Sequence, residues 1–182
     1  MIIEQEYFKF ITRGTPIKAN GNNCIYYTET HEYYSNEAFR NFSIKIPLQG
    51  LVYYKTHNRE FELAANNFLL SYKQPGKVVI DASSLVKAMC IDINQETIVE
   101  AFNVIGINKE YDLENFEAGY FFTPDFFENT YSLNKNDFGS ILNKLSSDIL
   151  NSNLEITEET FLSLAQETII HELGNYKSLV LK

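Results

Sequence analysis

The side chains of this chain best suited to chemistry are three histidines, two cysteines and one lysine set inside a strand-like run. Histidines and thiolates ligate metals or act as nucleophiles only when partners stand at workable spacings. His31, His57 and His171 are far apart, and none belongs to an H-x-H or H-x-x-x-H pair. His57 stands near Glu60 and Glu62, a conceivable weak metal set that equally reads as a solvated turn beside strand-surface acids. Glu29, His31 and Glu32 cluster in the same way, but adjacent residues of an extended chain point to opposite faces. His171, between Ile170 and Glu172 in helix-patterned sequence, reads as a surface or interface histidine. Cys24 and Cys90 lie among apolar residues, with Lys87 as the only basic residue near Cys90, and both read as reduced, buried thiols. Nucleophile elbows, Walker loops, dinucleotide-binding glycine loops and H-E-x-x-H are absent from the sequence. The expectation is a protein that is not an enzyme and uses no metal or cofactor.

The elements that must carry these residues change character along the chain. From 23 to 93, β-branched and aromatic residues are cut by Asn, Gly and Pro turns, predicting strands over 24–29, 39–47, 51–56, 60–63, 68–72, 77–81 and 85–93. Residues 39–47 alternate Phe42, Ile44 and Ile46 against Ser43 and Lys45, a half-buried pattern. The turn at Gln49-Gly50 predicts a hairpin with 51–56. Thr15-Pro16 and Asn20-Gly21 read as turns, and 30–37 as a loop or short edge. A short helix is expected over 95–104, then an aromatic, turn-rich stretch to 130 that packs back over the strands. Residues 137–151 form a helix with Phe138, Ile141, Leu142, Leu145 and Ile149 on one stripe, capped by Asn136 or Asn134. Thr157 opens another helix, with Gly174 as a stop or hinge, and the two are expected as an antiparallel hairpin. Strands first and paired helices after describe a closed β-barrel that holds a ligand or docks a partner.

Tyr26, Phe42, Ile44, Tyr53, Met89 and Ile91 sit on strands and are the candidates for an interior pocket, though they equally suit a filled core. Lys45 is either a charged anchor for an anionic ligand or a surface lysine whose stem lies along apolar neighbours. The helical stripes suit packing on the barrel, pairing with a second copy, or both.

The 182 residues suit a single domain, and 45% hydrophobic content suits a packed core. A net charge of −9 with scattered Lys and Arg opposes direct nucleic-acid contact. The acidic N-terminus is unlike a signal peptide, and no apolar run approaches a membrane span, so a soluble cytoplasmic protein is expected.

The blocks LAANNFLLSYKQPGKVVID and SSLVKAMCIDINQETIVEAF, followed by YFFTPDFFENTYSLNKNDFGSILNKLSSDIL, resemble the N-terminal cupin-like effector-binding domain of AraC-type transcriptional regulators. The family's F-L-L…P-G phrase is Phe68-Leu69-Leu70 with Pro75-Gly76, and its K-G-L-C-I-type strand is Lys87-Ala88-Met89-Cys90-Ile91. Asn66-Asn67 replaces a frequent Gly-Asp, and Lys77 and Val78 stand where many members have histidine, which removes the metal-binding cupin pattern. The resemblance implies an α+β, mainly β fold. A cupin-like double-stranded barrel or jelly roll spans about 1–94, a helix and irregular segment 95–130, and a helical hairpin 131–182. It also implies a small-molecule effector within the barrel, at Tyr26, Phe42, Ile44, Lys45, Tyr53 and Met89. A homodimer seam would use Ile141, Leu145, Phe161, Leu164 and Thr168. The family's helix-turn-helix DNA-binding part is expected to be missing, as in a truncated regulator or a stand-alone sensory half. A small cupin isomerase or dioxygenase, and a dimerisation scaffold with a filled barrel, are the alternatives.

Overall fold

The computed structural model describes residues 15–20, 23–39, 41–81, 84–107, 128–151 and 156–180. Ten strands and three helices lie within them. A six-stranded sheet takes β1 (Thr15–Asn20), β2 (Asn23–Thr30), β4 (Phe42–Gln49), β7 (Asn67–Ser71), β9 (Val86–Ile93) and β10 (Asn129–Ser132), in the spatial order β1-β2-β9-β4-β7-β10. A four-stranded sheet takes β3 (Tyr33–Ser35), β5 (Leu51–Thr56), β6 (Glu60–Ala64) and β8 (Gly76–Ile80), in the order β3-β8-β5-β6. Every ladder is antiparallel. The fold is cupin-like α+β, but the sheets face each other without closing into the single ring expected.

The predicted hairpin across Gln49-Gly50 does not form. Strand β4 pairs with β7 and β9, whereas β5 pairs with β6 and β8 in the other sheet. Gly50, at φ 81°, carries the chain between them, and a Cβ there would meet Val86 Cγ2 at 2.8 Å. Asn66, at φ 70°, stands at the next crossing after Gly50, from β6 into β7. Asparagine tolerates this left-handed region because its short polar side chain bonds locally. Thr15-Pro16, read as a turn, begins edge strand β1, whose register with β2 slips between Pro16 and Lys18. Strand β10 was not predicted; it pairs with β7 at the opposite edge. Of the stretch 106–130, expected to pack back over the barrel, residues 108–127 lie outside the described residues, as does Gly21 of the Asn20-Gly21 turn.

Helix α1 (Gln95–Ile107) starts where Asn94 Oδ1 accepts the Thr97 N–H at 2.8 Å, and it runs three residues past the predicted end. Helix α2 (Asp137–Leu150) is capped by Asn136, whose side chain accepts the Gly139 N–H, with Asp137 in the favourable first turn. Asn136→Ala should lower unfolding free energy by about 1 kcal/mol in urea titration. A loss below a few tenths would mean that the cap contributes little to the fold. Helix α3 (Glu158–Val180) runs through Gly174, which neither stops nor contacts anything within 4 Å of a built Cβ. It packs chiefly on α1 and less on α2, so the expected two-helix hairpin is a three-helix layer. None of the helices among the described residues is long and apolar enough to cross a membrane.

Two apolar cores result. On the outer side of the six-stranded sheet, Ile25, Phe42, Ile44, Ile46, Phe68, Leu70, Ile91 and Ile93 meet all three helices. Between the sheets, Phe39, Val52, Tyr54, Phe61, Leu63, Leu69, Val78, Ile80 and Val86 form the second. Residues Phe42 to Pro47 are consecutively buried because each face of β4 has its own cover.

Candidate functional site

The inner core is not filled. A cavity of about 210 Å³ lies between the sheets, built on strands β2, β9 and β4. Their register sets Tyr26 opposite Cys90, and Cys90 opposite Lys45, so all three project to the inner side. Asp92, two residues beyond Cys90, shares that face. Val52, Tyr54, Val78 and Ile80 line the opposite wall, and the exposed Glu37 lies at the mouth.

Lys45 is 3% exposed. Its ammonium donates to the Ala38 carbonyl at 2.7 Å and reaches the Cys90 sulfur at 3.7 Å. It also lies over the rings of Phe39 and Tyr54, 5.0 and 5.5 Å from their centroids. The Cys90 thiol in turn donates to Asp92 Oδ1 at 3.3 Å. Among the described residues no carboxylate lies within ion-pair distance of Lys45, and no cation within that distance of Asp92. Burial and then Asp92 push the Cys90 thiol up to about 12 against the opposing pull of Lys45. The thiol therefore stays protonated at neutral pH. Tyr26 is raised to about 12, first by its hydrogen bond with Cys24 and then by burial. Burial raises Tyr54 well above its ordinary value. The cavity thus offers neutral hydroxyl and thiol donors around one buried cation and one carboxylate. That composition is suited to holding and orienting a small polar molecule; no activated nucleophile is present among these groups.

Of the six pocket candidates, Tyr26, Lys45 and Met89 line this cavity. Met89 also joins the helix-side core. Phe42 and Ile44 do not line it: they face the helices, since the greasier parity of β4 covers the helical layer. Ile91 faces the helices too. Tyr53 stands on the outer surface of the four-stranded sheet, 41% exposed. Lys45 is buried, so it is no snorkelling surface lysine. The inference that Cys90 has only Lys87 nearby missed Lys45, its cross-strand partner. Asp92 and Tyr54 were not singled out; their signal was strand parity, legible once Lys45 is placed inward.

Of the five seam residues, Leu145, Phe161, Leu164 and Thr168 are buried within this chain, and the Thr168 hydroxyl donates to the Leu164 carbonyl at 2.7 Å. They belong to the core of this chain, which leaves them little surface for a second copy. Ile141 alone is exposed, and Leu150 is exposed on the same helix.

His31 and His57 are exposed. His171 is not a surface histidine: it packs against the rings of Phe68, Tyr131 and Phe138, and burial lowers its pKa. Beside it, Glu172 is 3% exposed and accepts from Asn129 Nδ2 at 2.9 Å. Burial pushes its carboxyl up to about 7. Asn175 Nδ2 donates to the Tyr131 hydroxyl at 3.1 Å, completing a polar knot between α3 and β10. Among the described residues no group of three or more His, Cys, Asp or Glu side chains is placed to hold a metal ion.

No protein-family model and no curated protein matches this chain. Solved structures do. The fold is cupin-like with a trailing helical layer, an arrangement of the kind seen in AraC-like regulators. ToxT from Vibrio cholerae aligns over 86% of this chain and 57% of its own, at TM-score 0.57 and 14% identity. The AraC-like transcriptional activator CuxR aligns over 88% of this chain and 54% of its own, at TM-score 0.52 and 11% identity. A cupin-2 domain protein from Shewanella frigidimarina aligns over 47% of this chain and 84% of its own, at TM-score 0.37 and 14% identity. The chain therefore spans little more than half the length of the two regulators. At these identities the likeness is one of fold.

Proposed function

We propose that this chain is the effector-sensing and assembly domain of an AraC-type transcriptional regulator. It binds a small molecule in the inter-sheet cavity and acts in the cytoplasm as a homodimer. Its state is transmitted to a helix-turn-helix DNA-binding domain, and it catalyses no reaction itself. The observation that supports this most is Lys45, a buried cation lining an open cavity without a carboxylate partner among the described residues. Burying an ammonium this way is costly, and a polar or anionic ligand offsets that cost. The fold likeness to CuxR adds support. An effector acts only through unequal affinity for two arrangements of the helical layer, and that layer lies on the reverse of the cavity strands.

Thermal shift against a metabolite library tests this reading. A ligand at about one hundred times its Kd adds roughly 2.7 kcal/mol of stability, so a true effector raises Tm with dose. Ala88→Leu, which fills the cavity from β9, should abolish that rise while the protein stays folded. A library without a single dose-dependent shift, or a shift indifferent to Ala88→Leu, would overturn the effector role.

A further inference from the structure

The inference rests on reading the inter-sheet cavity as the effector site, and it concerns what that site recognises. Charges of both signs face the same small space. Lys45 supplies a cation, 3% exposed, and Asp92 supplies a carboxylate on the same wall. Lys45 Nζ and Asp92 Oδ1 each approach the Cys90 sulfur, at 3.7 and 3.3 Å, so one thiol separates the two anchors. The thiol is a weak partner for either charge. An ammonium has three donors, and among the described residues only the Ala38 carbonyl takes one at full strength.

A purely anionic occupant would satisfy Lys45 but lie against Asp92. A purely cationic one would meet Lys45. The occupant complementary to both anchors carries a carboxylate and an amine a short distance apart. Beyond them the walls turn apolar at Tyr54 and Val78. The volume of about 210 Å³ suits a single small metabolite.

We infer that the cavity between the sheets binds a free α-amino acid with an apolar side chain, its carboxylate on Lys45, its ammonium on Asp92 and its side chain against Tyr54 and Val78. The amine and carboxylate of such a ligand sit on one carbon, matching two anchors that flank one thiol. Charge-assisted hydrogen bonds at both ends set the orientation.

Isothermal titration calorimetry on the 182-residue chain tests the assignment with L-leucine and L-phenylalanine, and with N-acetyl-L-leucine, N-acetyl-L-phenylalanine, L-leucinamide and L-phenylalaninamide. At least one free amino acid should bind, and blocking either its amine or its carboxylate should weaken it roughly tenfold or more. Asp92→Asn, which keeps the side-chain shape, should erase discrimination against the acetylated form. Lys45→Met should erase discrimination against the amide. An acetylated acid that binds as tightly as its parent overturns the zwitterion assignment and leaves the effector role standing. Absence of binding by both free amino acids also overturns it; the library thermal shift then decides the effector role separately.

Discussion

Replacing Phe161 by alanine lowers the unfolding free energy by about 3–5 kcal/mol, and the loss is independent of protein concentration. Phe161 has no exposed surface, and it lies in the core formed by α3, α1 and the outer side of the six-stranded sheet. Truncation there removes the transfer energy of the ring and leaves a void that close-packed neighbours fill only in part. Such a loss is a large share of the stability of an ordinary domain. Urea unfolding at two widely separated concentrations separates this role from the seam role that the resemblance implied. A seam residue would change the concentration dependence of the midpoint. A loss below about 1 kcal/mol, or a midpoint that moves with concentration only in the native sequence, would return Phe161 to the interface.

Glu172→Gln stabilises the protein at pH 8 by about 3 kcal/mol and changes little at pH 4. Burial raises the Glu172 carboxyl to about 7 from an ordinary value of 4.5. A raised folded pKa means that its contribution is fully present below the unfolded value and is lost as pH rises through the folded one. The penalty therefore grows between about pH 4.5 and 7 and is constant above. Glutamine cannot ionise and keeps an oxygen for Asn129. The polar groups facing this carboxyl are Asn129 and Tyr131 from β10 and His171 and Asn175 from its own helix. His171 acts with the opposite sign: burial lowers its pKa, so its contribution is present above about 6.5 and fades as pH falls. Because both proteins keep His171, 4.0 Å from this carboxyl, the difference between their pH profiles reports Glu172 together with its coupling to His171. Parallel stability profiles from pH 4 to 8 would show that the carboxyl titrates normally.

Element types were legible wherever periodicity was clean. Strands β2, β4 to β9 and helices α1 to α3 stand close to their predicted positions, because turn residues and alternation or helical stripes mark them locally. Strand β10 was not legible: Asn129–Ser132 is polar and short, and its identity depends on the edge of β7. The failed hairpin at Gly50 shows the same limit. A glycine turn between two strands marks a reversal, but whether the strands pair or part into two sheets depends on partners far along the chain. The site suffered from one further ambiguity. Phe42 and Ile44 looked like lumen residues because they are the apolar parity of β4. With helices outside and a polar cavity inside, the apolar parity faces the helices, and Lys45 marks the lumen. Reading β9 with that parity places Ala88, Cys90 and Asp92 inward and Ile91 and Ile93 outward. Likewise, the buried stripes of α2 and α3 could not be told from a seam without knowing what lay beneath them.

Strands β2, β4 and β9 are a partition one peptide thick. Ile44 and Ile46 flank Lys45 in the chain, as Ile91 sits between Cys90 and Asp92. A backbone shift at Lys45 or Asp92 would carry these isoleucines with it, and they are packed in the core shared with the helices. Under the proposed effector role, the signal of an occupant needs no relay of side chains, because a single layer of backbone separates the cavity from the helical core.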